Sequence, residues 1–201
     1  MSRPLLLIRH GQIAANAGGR WHGSTDSPLN RLGRRQIQRL GQRAEREWSD
    51  IAAVYSSPLQ RCLLTARAIA TPLGHEVLID DDLREYGIGE FEDTPFATLQ
   101  TERDFFRRIR DDHEYAPVGG DSLAAVARRI VPALRRIHAH DDSSRPIAVV
   151  SHGAALGIAL ATLLDADLNR WTNYQIDNCS VTELILEPEP LVGTFNNTDH
   201  L

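Results

Sequence analysis

Lysine is absent from this chain of 201 residues; all 22 of its basic residues are arginine. Without lysine there is no Schiff-base nucleophile, which excludes ordinary pyridoxal-phosphate chemistry. There is also no P-loop of the kind that holds a nucleoside triphosphate. The arginine bias itself reads as genomic base composition. Cysteine is scarce. Cys62 and Cys179 are too few for a disulfide framework and lack a zinc spacing, so a reduced, cytoplasmic setting is expected. No apolar stretch reaches the ~18 residues of a membrane span, and the short run Leu5–Ile8 falls below a signal-peptide core. Positive charge is also short: 27 acidic against 22 basic residues leave a net −5. That argues against a nucleic-acid or anionic-membrane binder held by bulk charge. Any anion must be held by a local cluster.

Three segments share one pattern, a short apolar run followed by a polar turn. Leu5–Ile8 leads into Arg9-His10-Gly11, Ile51–Tyr55 into Ser56-Ser57-Pro58, and Ile147–Val150 into Ser151-His152-Gly153. Continuous apolar runs of this length read as strands buried on both faces of a parallel sheet. Ser57 reads as an N-cap, with Pro58 at the first helical position and Gln60 completing a capping box. Helical spacing follows through Leu59, Leu63, Ala66 and Ile69. Leu32, Ile37, Leu40, Ala44 and Trp48 mark a second helix. Leu123, Val126, Ile130, Leu134 and Ile137 mark a third, which Pro132 would kink or end. Ala154–Leu164 reads as an apolar, buried helix, and Val181–Leu186 as a further strand. The alternation predicts an α/β fold: a three-layer α/β/α sandwich on a mostly parallel sheet. We read residues 1–201 as one domain, with a small inserted cap at about 86–121 and an extended, loosely held tail at about 187–201.

Ligands of open parallel sheets bind beyond the carboxyl ends of the strands. His10, Ser57 and His152 sit at such ends, so their surroundings should converge. Arg9, His10, Arg61 and His152, with a helix N-terminus behind His152, suit a compact dianion, and phosphate fits best. The two guanidiniums would keep His10 neutral and nucleophilic. Attack on phosphorus would give a covalent phosphohistidine. The leaving alcohol then needs a proton, for which Glu85 is the best-placed carboxylic acid.

Together these pieces resemble the histidine phosphatase superfamily, the phosphoglycerate-mutase-like fold. The matching segments run in order along nearly the whole chain: Leu7–Gln12, Asn16, Arg20, Gly23, Asp26–Leu29, Ser56–Arg61 with Thr65-Ala66, Leu83–Glu85, Gly119–Ser122, Ser151–Gly153 and Asn178–Val181. The resemblance implies His10 as nucleophile, Arg9, Arg61 and His152 as the phosphate clamp, and Glu85 as proton donor and then base. It adds Asn16 and the Gly153 amide as phosphate contacts and Gln12 and His22 as candidate substrate contacts. It implies no metal and no organic cofactor. Asp121 stands where the family pattern has glutamate. The long insert and the extra Arg- and Pro-rich motifs of true phosphoglycerate mutases are missing. That is more similar to the small phosphatases of the family, including the broad-specificity acid and α-ribazole types. Hydrolysis of a small-molecule phosphate ester is therefore expected, ahead of a mutase or a weakly catalytic phospho-ligand-binding module. The oligomeric state stays open, a homodimer included. His138-Ala139-His140-Asp141-Asp142 reads as a solvated loop, Ser151 as a turn residue, and Arg107, Arg108 and Arg110 as a solvated face.

Overall fold

A computed structural model describes residues 3–140 and 143–201. Its centre is a six-stranded sheet: β1 (Pro4–Arg9), β2 (Ala53–Ser56), β3 (Val77–Ile79), β4 (Ile147–Ser151), β5 (Val181–Ile185) and β6 (Leu191–Val192). The strand order is β3-β2-β4-β1-β5-β6. The first four strands of that order are parallel, whereas β5 runs antiparallel to β1 and β6 antiparallel to β5.

Alternation along β1 divides the core. Leu6 and Ile8 pack with Val54, Ala148 and Val150 under α2 (Arg31–Glu47) and α3 (Gln60–Ala70), through Leu40, Ala44, Cys62, Ala66 and Ile69. Leu5 and Leu7 face the opposite layer with Val149, against α6 (Leu123–His138) and α7 (Gly153–Leu160). Two helical layers thus enclose one sheet, the three-layer arrangement expected from the sequence. The stretch 86–121 carries α4 (Phe96–Thr101) and α5 (Phe105–Asp111). It is fastened to the same core by Tyr86, Ile88, Leu99, Phe105 and Ile109. Pro132 lies inside α6, on its exposed side, while Ile130, Ala133, Leu134 and Ile137 are buried. The packing of that face holds the helix together past the missing N–H.

Three local expectations need correction. Ser57 does not cap α3. Leu59 is the N-cap residue, and the Gln60 amide donates to Asp26 Oδ1 at 2.9 Å. The buried Ser57 hydroxyl instead meets His152 Nε2 at 2.8 Å. Ser151 is the last residue of β4, not a turn, and its Oγ donates to the Leu83 carbonyl at 2.8 Å. The tail is held firmly. Val181 and Asn197 exchange backbone hydrogen bonds of 3.0 and 2.9 Å, and Glu183 N donates to Thr194 O at 2.8 Å.

The loop after β1 is locked by α2. Gly33 lies in the first turn of that helix, and a Cβ there would fall against the Gln12 carbonyl and 2.8 Å from the Gln12 amide nitrogen. Alanine would gain about 1 kcal/mol of helix propensity, but backbone-to-backbone overlap cannot relax by rotamer change. Gly33→Ala should therefore cost about 2 kcal/mol or more net and lower Tm by several degrees. Thermal unfolding followed by circular dichroism checks this.

Candidate active site

The order β2-β4-β1 places the carboxyl ends of three adjacent strands together. Arg9 ends β1, His10 follows it, Ser56 ends β2, and Ser151 ends β4 with His152 as the N-cap residue of α7. His10 N donates to Ser151 O at 3.0 Å, so the two turns are joined directly. The His10 and His152 rings meet edge-on, with centroids 5.2 Å apart.

The His10 ring is oriented by one bond. Its Nδ1 lies 2.7 Å from the Gly11 carbonyl. A carbonyl can only accept, so Nδ1 carries the proton and Nε2 keeps its lone pair. The backbone around the ring is fixed twice more. Thr65 Oγ1 accepts from Gly11 N at 3.0 Å, and Asn178 Nδ2 donates to the His10 carbonyl at 2.8 Å. Burial, then the Arg61 and Arg9 charges, push His10 well below the ordinary histidine range. His152 is lowered likewise, by burial and then by Arg61 and His10.

Arg61 is fully buried. Its guanidinium donates to the carbonyls of Thr25 at 2.7 Å, Gly23 at 2.9 Å and His22 at 3.2 Å. Arg9 donates to the Ile176 carbonyl at 2.7 Å. Both Nε atoms are buried and lack a partner. Among the described residues, neither guanidinium has a carboxylate within ion-pair distance. Carbonyls hold the groups in place without cancelling their charge, which leaves an anion-seeking site.

Glu85 occupies the position that the sequence suggested for the anion, the N-terminus of α7. Its Oε1 accepts from Ala155 N at 2.8 Å and Tyr86 N at 2.9 Å, and Oε2 accepts from Ala154 N at 3.2 Å. The Ala154 and Ala155 amides of the helix start thus seat the carboxylate. Arg129 pins the chain that carries it, donating to the carbonyls of Asp82, Arg84 and Glu85 at 2.9, 2.6 and 2.7 Å.

A cavity of about 480 Å³ opens over this floor, and Arg9, His10, Asn16, Glu85 and Gly153 line it. Arg61 and His152 do not; they lie behind it, fully buried. Asn16 Oδ1 accepts from Ile13 N and Asn178 Nδ2, both at 3.2 Å, which turns the amide NH2 outward as a donor. A Cβ on Gly153 would sit 3.2 Å from Arg9 Nε, so glycine lets that guanidinium approach the helix start. His22 lines the cavity, but both ring nitrogens are engaged, with Ser27 Oγ at 2.7 Å and Asp93 Oδ1 at 2.9 Å. Gln12 is outside the cavity. Its side-chain oxygen accepts from Asn30 at 2.8 Å, a bond between loops.

Sequence reasoning missed the cavity's aromatic rim, which includes Trp21, Phe96, Phe106, Trp171 and Tyr174. It also missed Arg129 and the capping role of Asp26. Trp21, between Arg20 and His22 of a matching segment, was the one visible signal. Arg107 pairs with Asp104 on an exposed face. His140 contacts the Tyr55 hydroxyl at 2.9 Å, and Asp141 and Asp142 lie outside the described residues. Among the described residues, no three His, Cys, Asp or Glu side chains converge as metal ligands would. No described helix is long and apolar enough to cross a membrane.

Residues 5–198 match the model of the histidine phosphatase superfamily, branch 1. The chain belongs to that family. It is 33% identical over 205 residues to a probable phosphoglycerate mutase GpmB of Proteus mirabilis, spanning 97% of this chain and 93% of that one. A mycobacterial glucosyl-3-phosphoglycerate phosphatase complexed with VO3 superposes with a TM-score of 0.86 at 28% identity, covering 98% and 100% of the two chains. An Entamoeba histolytica phosphoserine phosphatase in complex with 3-phosphoglyceric acid gives 0.86 at 28% identity, covering 99% of each.

The lowered histidines set a pH signature. An imidazole whose folded value is depressed stays neutral as pH falls through 6.5, while its unfolded counterpart takes up a proton. Its contribution to stability is full above that value and is lost below it. Nitrogen-15 NMR should find His10 as the Nδ1–H tautomer still uncharged at pH 6, and Tm should fall between pH 7.5 and 5.5. A His10 midpoint near 6.5 would contradict the electrostatic assignment.

Proposed function

We propose that the protein is a phosphomonoester hydrolase of its family, working through a phosphohistidine on His10. The observation that carries this reading is an imidazole whose Nδ1 faces the Gly11 carbonyl, leaving Nε2 its lone pair, set beside the buried Arg61 and partly buried Arg9 guanidiniums, which have no carboxylate within ion-pair distance among the described residues. A phosphoryl group supplies the missing negative charge. Arg9 would hold its oxygens from the cavity wall, Arg61 and His152 would support them from behind the floor, and the Asn16 NH2 and the Gly153 amide would meet its edge. Nε2 attacks phosphorus as the P–O bond to the alcohol breaks, and Glu85 delivers a proton to the departing oxygen. Glu85, now ionised, takes a proton from water as that water attacks the phosphohistidine. Orthophosphate leaves and His10 returns to its starting form.

Release to water is preferred over transfer to a second hydroxyl because the chain lacks the long insert and the extra Arg- and Pro-rich substrate motifs of true phosphoglycerate mutases. Water that takes the place of the departed alcohol, in line with the P–Nε2 bond, meets the same Glu85 carboxylate, which lines the main cavity. The Proteus mirabilis relative, a probable mutase, favours the mutase reading, and the two structural neighbours, both phosphatases, favour hydrolysis. Two buried free thiols suit a reducing, cytoplasmic setting.

Product analysis separates the readings. A hydrolase releases orthophosphate from 3-phosphoglycerate and simple alkyl phosphates, with a chelator present. An isomerised ester would identify a mutase, and binding without release would identify a binding module. Activity appearing only on addition of a divalent metal would overturn the mechanism.

Glu85→Gln should lower kcat on an alkyl phosphate by about 10²–10⁴-fold. The loss in the phosphorylation step should be much smaller for 4-nitrophenyl phosphate, whose leaving group needs no proton. Equal burst-rate losses on both esters would remove Glu85 as the donor.

A further inference from the structure

The cavity that carries phosphate chemistry has a second half, above the charged floor, and its composition bears on what is esterified. Trp21 is at the centre of an aromatic cluster, with ring centroids 5.4 Å from Phe96, 6.3 Å from Phe106 and 6.2 Å from Trp171. Tyr174 completes the rim. Two of the polar handles of this wall are engaged within the chain. Trp21 Nε1 donates to the Tyr86 carbonyl at 3.0 Å, and the Tyr174 hydroxyl donates to Asp165 Oδ2 at 2.8 Å. What they leave towards a ligand is ring carbon. Phe96 remains 44% exposed beyond its contact with Trp21.

The mouth also carries polar groups. Arg20 meets Asp93 through the Asp93 carbonyl and a 3.7 Å ion pair, both side chains being substantially exposed. His22 has both nitrogens occupied. Arg9 belongs to the phosphate floor. Thr172, Gln175 and Asp177 also line the cavity, Asp177 held there by Asn196 through bonds of 2.8 and 2.9 Å. The exposed Asp177 carboxylate would be a like charge to an acid group on the organic part.

We propose that the preferred substrate is a phosphate ester of an alcohol carrying a flat, apolar ring, the ring seated on the wall of Trp21, Phe96, Phe106 and Trp171. This rests on the phosphomonoesterase reading above and narrows it. A phosphorylated sugar acid, with no ring to seat there, would be turned over less well.

The test compares 2-phenylethyl phosphate with 3-phosphoglycerate, both esters of primary alcohols, so leaving-group chemistry is matched. Wild-type kcat/KM should favour the phenylethyl ester by about 30-fold or more, the gain expected from burying one ring. Trp171→Ala should shrink that ratio by about tenfold, mainly through KM for the aromatic ester. Phe96→Ala, on an exposed side chain, should shrink it by about threefold and serves if the tryptophan variant fails to fold. Equal or better turnover of 3-phosphoglycerate, or a ratio unmoved by truncation of the wall, would overturn the proposal. If neither ester released orthophosphate, the hydrolase reading would fail by itself. Calorimetry on His10→Ala would then decide the preference: tighter binding of the phenylethyl ester supports it, and equal or tighter binding of 3-phosphoglycerate refutes it.

Discussion

Two guanidiniums held by carbonyl oxygens, with no carboxylate within ion-pair distance among the described residues, are the constraint on which the rest of this site depends. A buried cation normally demands a counter-ion. Here Arg61 is surrounded by the carbonyls of His22, Gly23 and Thr25, and Arg9 leans on that of Ile176. These dipoles make burial tolerable and leave the net charge in place. One consequence is that His10 and His152, buried beside that charge, resist protonation. A second is that the site has a strong field for an anion before any anion arrives, so little reorganisation is left for the reaction itself.

The fold supplies this arrangement through strand order. Because β4 lies between β1 and β2, the turns bearing Arg9-His10, Ser57 and His152 emerge side by side. The Ser57 hydroxyl on the His152 ring and the Ser151 hydroxyl on the Leu83 carbonyl then connect those turns to each other and to the acid-bearing segment. Glu85 in turn sits on the first amides of α7, whose N-cap residue is His152. The residues proposed as nucleophile, clamp and acid are therefore positioned by adjoining turns at the carboxyl ends of central strands. The C-terminal tail contributes at a distance. It lines no part of the cavity, but Asn196 fixes Asp177 and Phe195 packs edge-on against Tyr174.

Much of this was legible in the sequence because apolar runs and ordered motifs report directly on buried strands and on the residues at their ends. Leu5–Ile8, Ile147–Val150 and Val181–Leu186 correspond to strands, and the charged cluster follows from what terminates the first two. The edges were harder. Val77–Ile79 and Leu191–Val192 are short and partly exposed, so they lack the continuous apolar signal of the central strands. Cap assignments failed where a tertiary partner outbid a local one. Ser57 has the right residue type for a helix start, but His152 takes its hydroxyl and Asp26 reaches in from another loop. His22 and Gln12 carried a family resemblance that spacing cannot refine, since only three-dimensional partners reveal how each side chain is committed. The aromatic rim was invisible for the same reason. Its rings come from positions 21, 96, 106, 171 and 174, which no periodicity connects.

The account stands or falls on a covalent bond between phosphorus and Nε2 of His10. Rapid acid-free quenching of the enzyme with a phosphorus-32-labelled ester, followed by peptide mapping under alkaline conditions, reads that bond directly. Label on the peptide containing His10, stable to alkali and lost in mild acid, at a rate of formation no slower than turnover, is the predicted result. Label absent, label on His152, or turnover that survives His10→Ala intact would contradict it.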